Sequence, residues 1–278
     1  MTLSRLTAFA DTPMGGNPAG VWIGDALPSP DDMQRIAAEV GYSETAFAAP
    51  VGEGAFRVRY FAPEMEVPFC GHATIALTAA LGAAYGAGEM RLNLNDASIA
   101  VTASPDGAHW ASELTSPPTR HAAPGRDMLR GAMDLLALQP VDLATDLPPV
   151  HAHAGADHLI LPLASRARLA EMSYDLAAGA AFMRAQGLVT IALIFVDESG
   201  VIHARNAFAS GGVLEDPATG AAAAALTGWL RDTGRRVGPI QIHQGDDMGR
   251  PSRITAYADG ATGSGVRVRG QTRTLEAD

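Results

Sequence analysis

The sequence predicts an α+β fold of two similar lobes, each a barrel-like, mostly antiparallel sheet around a central helix. The first observation is an internal repeat: residues 70–81 and 219–230 share Gly, Ala, Ala, Leu, Thr and Leu at equivalent positions. Both segments are Ala- and Leu-rich runs that follow a small-residue turn, a pattern typical of a buried helix. Such a helix must be enclosed, and many short alternating segments surround each one. The alternative is chance similarity between two Ala-rich core helices.

Residues 1–120 are predicted to form the N-terminal lobe. A helix is expected at 31–40, because acidic residues fill its first turn and Gly41 follows as a stop signal. A second helix is expected to begin at Gly71. The stretch 117–126, rich in Pro, Ala and His, is predicted to connect the lobes. Alternating apolar segments predict strands at residues 3–10, 18–24, 45–50, 54–62, 90–95, 98–103 and 108–114.

Residues 121–278 are predicted to repeat this arrangement as the C-terminal lobe. The periodicity of apolar residues predicts helices near residues 127–137, 175–186 and 217–231. The last of these carries the second copy of the repeat. Strands are expected at residues 158–163, 188–196, 201–208, 238–243, 252–258 and 265–269.

Composition restricts the class of protein. The chain has 278 residues, 47% of them hydrophobic, which is ample for a packed core. A formal net charge of −10 and the absence of a Lys/Arg cluster argue against nucleic-acid binding. No secretory signal and no bilayer-length apolar run is found in the sequence. Cys70 is the single cysteine, so an intrachain disulfide is excluded and a reducing, cytoplasmic location is expected.

Glu44 is the first candidate for acid/base chemistry. It stands at the edge of an apolar strand, where partial burial would raise the pKa of a carboxylate toward neutrality. A glutamate at the end of a strand can instead face solvent or cap a backbone group. The residue alone does not decide between these readings.

The two repeated helix starts supply the other candidates. His72 would lie in the first turn of its helix, where the helix dipole favours the neutral imidazole, although a lone histidine at a helix start is more often structural. Asp216 precedes Pro217 and is predicted to be an N-cap with proline at the first helical position. The free N–H groups at Gly71 and Gly220 would suit a carboxylate or an enolate.

Cys70 would also lie at a helix N-terminus, which favours the thiolate. Its counterpart in the repeat is Thr219, so this chain cannot form a racemase with one thiol on each face of the substrate. A small packed residue is therefore the favoured interpretation of Cys70.

A histidine-rich segment raises the question of a metal site. It contains His151, His153, Asp157 and His158, but no Cys-x-x-Cys or Glu-x-x-His element accompanies it. The glycine-rich loops that bind nucleotides are also missing from the sequence. We therefore expect neither a metal nor a cofactor.

Several motifs in order resemble the PhzF family of phenazine-biosynthesis isomerases. They are Gly15-Gly16-Asn17-Pro18-Ala19-Gly20-Val21, Ser43-Glu44-Thr45-Ala46-Phe47, Arg59-Tyr60-Phe61-Ala62-Pro63 with Glu66, Cys70-Gly71-His72-Ala73-Thr74 and Asp216-Pro217-Ala218-Thr219-Gly220. The resemblance covers nearly the whole chain. It implies the fold of diaminopimelate epimerase, with an active site between the lobes, and an enzyme free of cofactors and metals that is commonly a homodimer.

The resemblance also implies a reaction and a set of residues. The family's best-understood enzyme isomerises trans-2,3-dihydro-3-hydroxyanthranilate by moving a hydrogen between carbons of a cyclic diene. Transferred by motif, Glu44 would carry the proton, and His72 and Asp216 would shape the site and tune protonation. Substrate-binding positions would be Asn17, Gly71, Gly220 and Ala221.

One departure from the family pattern leaves the substrate open. The phenazine enzymes have a serine where this chain has Ala221, so a hydroxyl that would contact the substrate is absent. A site without that group discriminates differently among polar substrates. The sequence predicts proton transfer within a small carboxylate-bearing molecule, and the alternatives are an amino-acid racemase or epimerase and a non-catalytic protein that binds a small acid.

Overall fold

The structure is a computed structural model that describes residues 1–275. It divides into two compact units. Unit 1 contains Met1–Thr115 together with the chain from Arg269 onward, and unit 2 contains Ser116–Val268. The division predicted after residue 120 is contiguous in sequence, whereas unit 1 of the structure also includes most of the last strand among the described residues, from Arg269.

Unit 1 follows the predicted order of short strands around two helices. Its helices are α1 (Pro30–Val40) and α2 (Gly71–Tyr85). The two-residue strand β5 was not predicted. The strands are β1 (Thr2–Ala8), β2 (Asn17–Ile23), β3 (Thr45–Gly52), β4 (Ala55–Phe61), β5 (Glu66–Val67), β6 (Gly88–Asn93), β7 (Ser98–Asp106) and β8 (His109–Thr115).

The rest of the chain adds four helices and nine strands within the described residues. The helices are α3 (Arg126–Leu135), α4 (Arg166–Ala170), α5 (Leu176–Gln186) and α6 (Gly220–Asp232). The strands are β9 (Arg120–Ala122), β10 (Val150–His153), β11 (Asp157–Pro162), β12 (Thr190–Val196), β13 (Ile202–Ala207), β14 (Glu215–Asp216), β15 (Gly238–Gln244), β16 (Ser252–Ala258) and β17 (Arg267–Thr274). Sequence analysis missed α4, β10 and β14, and it interpreted the β9 segment as a connection.

The sheet of unit 1 closes into an eight-stranded barrel. Neighbouring strands run in the order β1, β2, β3, β4, β6, β7 and β8, and β17 pairs with both β8 and β1 to complete the ring. Helix α2 is buried along nearly its whole length and packs against β1, β2, β3, β7 and β8. Gly82 permits this fit, because a Cβ there would lie 2.7 Å from the Trp110 ring. The barrel therefore encloses α2, as the apolar run predicted.

Unit 2 has a curved sheet in the order β9, β10, β11, β12, β13, β15 and β16. Helix α6 packs against strands near both ends of this order, β9 to β11 and β16, so the sheet curves around it. A second core contains side chains from α3, α4, α5 and the central strands, including Ala132, Leu169, Met183 and Leu193.

The two units repeat the same strand connectivity. In unit 1, five successive pairs from β1/β2 to β6/β7 alternate antiparallel and parallel. The pairs from β10/β11 to β15/β16 alternate in the same sequence. The short strand β5 pairs with β4 as β14 pairs with β13. The repeat therefore extends over five successive strand pairs in each unit, which excludes chance similarity between two helices and confirms the predicted fold class.

An ion pair that occurs in both units shows which residues of the two units are equivalent. Arg59 on β4 donates to Glu66 on β5 through Nε at 2.7 Å and Nη2 at 2.5 Å. In unit 2, Arg205 on β13 donates to Glu215 on β14 through Nε at 3.0 Å and Nη2 at 2.5 Å. These bidentate pairs hold the chain that leads into each buried helix. They also align Glu66 with Glu215 residue by residue.

Candidate active site

Glu44 is held in place by its backbone at the start of β3. The turn from α1 begins at Gly41, whose φ of 73° lies in the left-handed region that favours glycine. The Glu44 carbonyl then accepts a hydrogen bond from the Gly20 N–H at 3.1 Å, which ties this residue to β2. The side chain is thus anchored next to a buried parallel pair of strands.

The imidazole of His72 contacts three polar side chains of unit 1. Its Nε2 lies 3.4 Å from Glu44 Oε2 and 3.3 Å from Ser43 Oγ. On the other side of the ring, Nδ1 lies 3.3 Å from Cys70 Sγ. The side chains of His72 and Glu44 are 10% and 19% exposed, respectively. The structure therefore brings together two of the three predicted catalytic residues.

Glu44 Oε2 is buried and has no hydrogen-bond partner among the residues that the structure describes. Its approach to His72 Nε2 is close but too poorly aligned for a hydrogen bond. Leaving a carboxylate oxygen buried and unpaired costs about 1–3 kcal/mol or more. Such a group in a native protein calls for an explanation, and a partner supplied by a bound substrate is one.

The start of α2 adds backbone donors to this cluster. Cys70 is the N-cap residue, and its side chain makes no capping hydrogen bond within the described chain. The first N–H groups of a helix, here at Gly71 and His72, have no partner inside the helix. Their dipoles point toward an anion placed at the helix end.

Asn17, the substrate-binding position predicted in the first part of the chain, is buried at the first position of β2, opposite Ala8.

Asp216 and Thr219 form a second cluster, in unit 2. The Thr219 hydroxyl donates to Asp216 Oδ2 at 2.5 Å. The prediction that Asp216 is an N-cap was wrong: Thr219 is the N-cap residue, and α6 begins at Gly220. The reason is the pairing of β14, which places Asp216 opposite Asn206 and holds it extended. Gly220 and Ala221 are the first two residues of α6, equivalent to Gly71 and His72 of α2.

Sequence analysis missed two residues of these clusters, Ser43 and Gln244. Ser43 precedes Glu44 in the motif Ser43-Glu44-Thr45-Ala46-Phe47, and the motif predicts no role for its hydroxyl. Gln244 donates to the Asp216 carbonyl at 2.7 Å and accepts from the Thr219 N–H at 3.2 Å. The available signal was alternation, because Gln244 continues the buried face of Ile240 and Ile242 on β15. A glutamine at a buried position needs polar partners.

The histidine-rich segment around β10 forms a polar cluster. Asp157 Oδ1 lies 3.2 Å from His151 Nε2, and its Oδ2 lies 3.1 Å from His153 Nδ1. His158 is fully buried, and its Nδ1 lies 2.8 Å from Thr190 Oγ1. Burial lowers the pKa of His158 to about 3, so this side chain is neutral at physiological pH.

Within residues 1–275, two groups place three metal-ligand atoms within 4.8 Å of one another. One is Glu44, Cys70 and His72. The other, His203, His243 and Asp246, lies in unit 2. In this second group His203 Nε2 is 3.0 Å from Asp197 Oδ2, and Asp246 accepts hydrogen bonds from Arg253. In this second group, the metal-ligand atoms of His203 and Asp246 thus already contact other protein side chains.

The fold is shared with solved structures. A PhzF-family phenazine biosynthesis protein from Bacillus anthracis superposes with a TM-score of 0.85 at 22% identity, covering 99% of this chain and 98% of that chain. No helix among the described residues is both long and apolar enough to cross a membrane.

Sequence comparison narrows the class further. The family model described as phenazine biosynthesis-like protein, PhzC-PhzF, matches residues 6–277. An uncharacterized isomerase from Deinococcus radiodurans is 31% identical over 262 residues, 90% of this chain and 84% of the relative. The trans-2,3-dihydro-3-hydroxyanthranilate isomerase of Pseudomonas fluorescens is 32% identical over 269 residues, 95% of this chain and 92% of the relative. The chain therefore belongs to the PhzC-PhzF family and is an isomerase, as the motifs predicted.

Proposed function

We propose that this isomerase needs no cofactor and moves a proton within a small carboxylate-bearing substrate, with Glu44 as the general acid/base. The observation that carries the proposal is the buried, unpartnered Oε2 of Glu44, 3.4 Å from His72 Nε2. A general base must reach a substrate proton and needs a lone pair that the protein has not already engaged. Glu44 meets the second condition, and its position beside a helix N-terminus supports the first.

The proposed reaction conserves atoms and electrons. The Glu44 carboxylate takes a proton from one substrate carbon and becomes a carboxylic acid, while the C–H electron pair joins the conjugated system. The same acid then returns the proton to another carbon, and the double bonds shift. Nothing is oxidised or reduced, so the step requires neither a nicotinamide nor a flavin.

His72 is proposed to orient Glu44 and to exchange a proton with a polar group of the substrate. Its Nε2 faces Glu44 and Ser43, whereas its Nδ1 faces Cys70. Cys70 Sγ also lies 3.9 Å from Nε2, so the sulfur packs against the ring while Ser43 and Glu44 contact Nε2, and these contacts restrict rotation of the ring. The helix-start N–H groups at Gly71 and His72 would stabilise negative charge that develops on the substrate.

The residue equivalence between the two units favours a single acid/base residue. Ala46 pairs with Tyr60 as Ala192 pairs with Asn206, so Glu44 corresponds to Thr190. The Thr190 hydroxyl is buried and already donates to Asn206 Oδ1 at 3.1 Å. A racemase with two equivalent bases needs one on each side of the stereocentre. The duplicated fold repeats the scaffold without repeating the base, which supports isomerisation over racemisation.

Unit 2 is proposed to bind the substrate. By the family motif, Asp216 would contact a polar group, and the N–H groups of Gly220 and Ala221 would bind the carboxylate. Asn17 of unit 1 is proposed as a further contact. Because Ala221 lacks a hydroxyl, we expect a substrate with one hydrogen-bonding group fewer, or one bound differently, than in the phenazine enzymes.

The substrate of the Pseudomonas fluorescens relative is the first molecule to test.

We also propose a cytoplasmic homodimer, because the family resemblance implies a dimer and the single cysteine, Cys70, suits a reducing compartment. Light scattering during size-exclusion chromatography measures the mass, which should be twice that of the 28.8 kDa chain.

The deciding experiment is proton NMR of trans-2,3-dihydro-3-hydroxyanthranilate incubated with the protein in D2O. Wild type should rearrange the substrate, and Glu44→Gln should not. Glu53→Gln is the matched control, because Glu53 is an exposed glutamate in the turn between β3 and β4. Binding without rearrangement by wild type would instead indicate a protein that only holds a small acid.

A further inference from the structure

We infer that Gln244 is a positioning residue that holds Asp216 and the start of α6 in the geometry that binds the substrate carboxylate. The inference rests on the proposed function for the identity of the ligand. It concerns a residue that contacts neither the proposed base nor the reacting carbons. Its evidence lies wholly within unit 2.

The side chain of Gln244 joins the two ends of the turn between β14 and α6. Gln244 is 1% exposed. Its Nε2 donates to the Asp216 carbonyl at 2.7 Å and to Thr219 Oγ1 at 3.0 Å, and its Oε1 accepts from the Thr219 N–H at 3.2 Å. One amide thus uses both donors and its acceptor on the four-residue turn that precedes Gly220.

These bonds also set the direction of the next one. Because Thr219 Oγ1 accepts from Gln244 Nε2, its own hydrogen is available for Asp216 Oδ2, which it contacts at 2.5 Å. Gln244 therefore orients the Asp216 carboxylate through the Thr219 hydroxyl. A side chain that cannot donate would leave that hydroxyl free to rotate away from Asp216.

The chain that follows Gln244 also contacts this turn. Gly245 has a φ of +78°, and a Cβ there would lie 2.9 Å from the Pro217 carbonyl oxygen and 2.3 Å from that of Arg250. The backbone after β15 therefore passes directly against the turn, with no room for a side chain. Gln244 therefore lies between the strand β15 and a backbone segment that packs against the turn.

Unit 1 shows that the fold does not require this glutamine. His203 pairs with His243 as Arg57 pairs with Asn93, so the position equivalent to Gln244 is Leu94. Helix α2 nevertheless begins with the same backbone hydrogen bond as α6, since the Thr74 N–H bonds to the Cys70 carbonyl as the Ala223 N–H bonds to that of Thr219. Of the two equivalent positions, only the one beside Asp216 carries a glutamine. We therefore attribute this glutamine to the positioning of Asp216 and not to the fold.

The test compares Gln244→Glu, which keeps the size and removes the donors, with Gln244→Leu, which copies unit 1. Gln241→Glu is the matched control, because Gln241 is exposed on the same strand. Two readouts are required: the affinity for 3-hydroxyanthranilate, an aromatic analogue that keeps the carboxylate and cannot rearrange, and hydrogen exchange at the Thr219 amide. Both Gln244 variants should bind the analogue about tenfold or more weakly.

The Thr219 amide should exchange faster in Gln244→Leu, which lacks the acceptor, while amides of the second core keep wild-type protection. Unchanged affinity in both Gln244 variants would overturn the inference, as would wild type that fails to bind the analogue. Faster exchange with unchanged affinity would show a structural role only. Failure of the proposed function is separate, because it appears as turnover that survives Glu44→Gln.

Discussion

His72 Nε2 lies 3.4 Å from Glu44 Oε2, and this contact joins the first turn of the enclosed helix α2 to the first residue before β3. The start of β3 and the start of α2 thus meet at a carboxylate oxygen, Oε2, that has no hydrogen-bond partner among the described residues. The contact places the buried carboxylate oxygen of Glu44 next to the imidazole of His72 at a helix N-terminus. The first prediction tests it directly.

Replacement of His72 by Asn should reduce kcat about 10²–10⁴-fold, because the proposed proton exchange and the orientation of Glu44 both depend on the imidazole. Steady-state kinetics with the dihydro-hydroxyanthranilate checks this expectation. His121→Asn is the control, since His121 is exposed on β9. Equal kcat values for His72→Asn and wild type would show that His72 is only structural.

Cys70 separates the proposed isomerase from a thiol-dependent racemase. Its Sγ contacts His72 Nδ1 at 3.3 Å, so Cys70→Ala should disturb the ring and lower kcat by no more than about tenfold. Complete loss of turnover in Cys70→Ala, with the fold retained by circular dichroism, would indicate that the thiol itself transfers the proton.

Ala221→Ser should restore the hydroxyl that the phenazine enzymes have at this position. A new hydrogen bond to the substrate is worth about 0.5–1.5 kcal/mol, so kcat/KM for the dihydro-hydroxyanthranilate should rise about two- to tenfold. Parallel assays of wild type and variant measure the ratio. A fall in kcat/KM would mean that this chain's own substrate leaves no room for the hydroxyl.

The two equivalent ion pairs should differ in their contribution to stability. The side chains of Arg205 and Glu215 are 11% and 6% exposed, against 20% and 27% for Arg59 and Glu66. Removing one partner of a well-buried pair costs about 3–5 kcal/mol, and the cost falls with exposure. Glu215→Gln should therefore lower the free energy of unfolding more than Glu66→Gln in urea titrations. The reverse order would contradict the assignment of burial.

His158 should produce a pH-dependent loss of stability. Burial lowers its folded pKa to about 3 from 6.5, so below pH 6.5 the unfolded chain binds a proton that the folded chain does not. Its contribution is complete above pH 6.5 and declines by about 1.4 kcal/mol per pH unit toward pH 3. His158→Asn should flatten the stability profile over this window. An unchanged slope in that variant would show that His158 does not remain neutral.

Much of the fold was predictable because its signals are local. The alternating strands and the two apolar helices, α2 and α6, follow from periodicity, and the repeat indicated a duplicated scaffold. Two-residue strands such as β14 depend on pairing with a distant partner, so no local pattern marks them. The error at Asp216 has this origin, because pairing with Asn206 overrides the Asp-Pro capping signal.

The candidate site was predictable in part for the same reason. Glu44 and His72 stand in motifs with chemical meaning, and the structure places them in contact. The role of Gln244 depends on three hydrogen bonds to residues more than twenty positions away, which a strand pattern does not encode. Alternation on β15 indicates that Gln244 is buried, but it does not indicate which groups Gln244 contacts.

The central claim is that one carboxylate, Glu44, removes and returns the proton. Its most direct test uses dihydro-hydroxyanthranilate that carries deuterium on the carbon that loses its hydrogen, incubated with the enzyme in H2O. The account predicts that part of the deuterium appears at the new C–H position of the product, and that Glu44→Gln forms no product. Product formation by Glu44→Gln at the wild-type rate would contradict it.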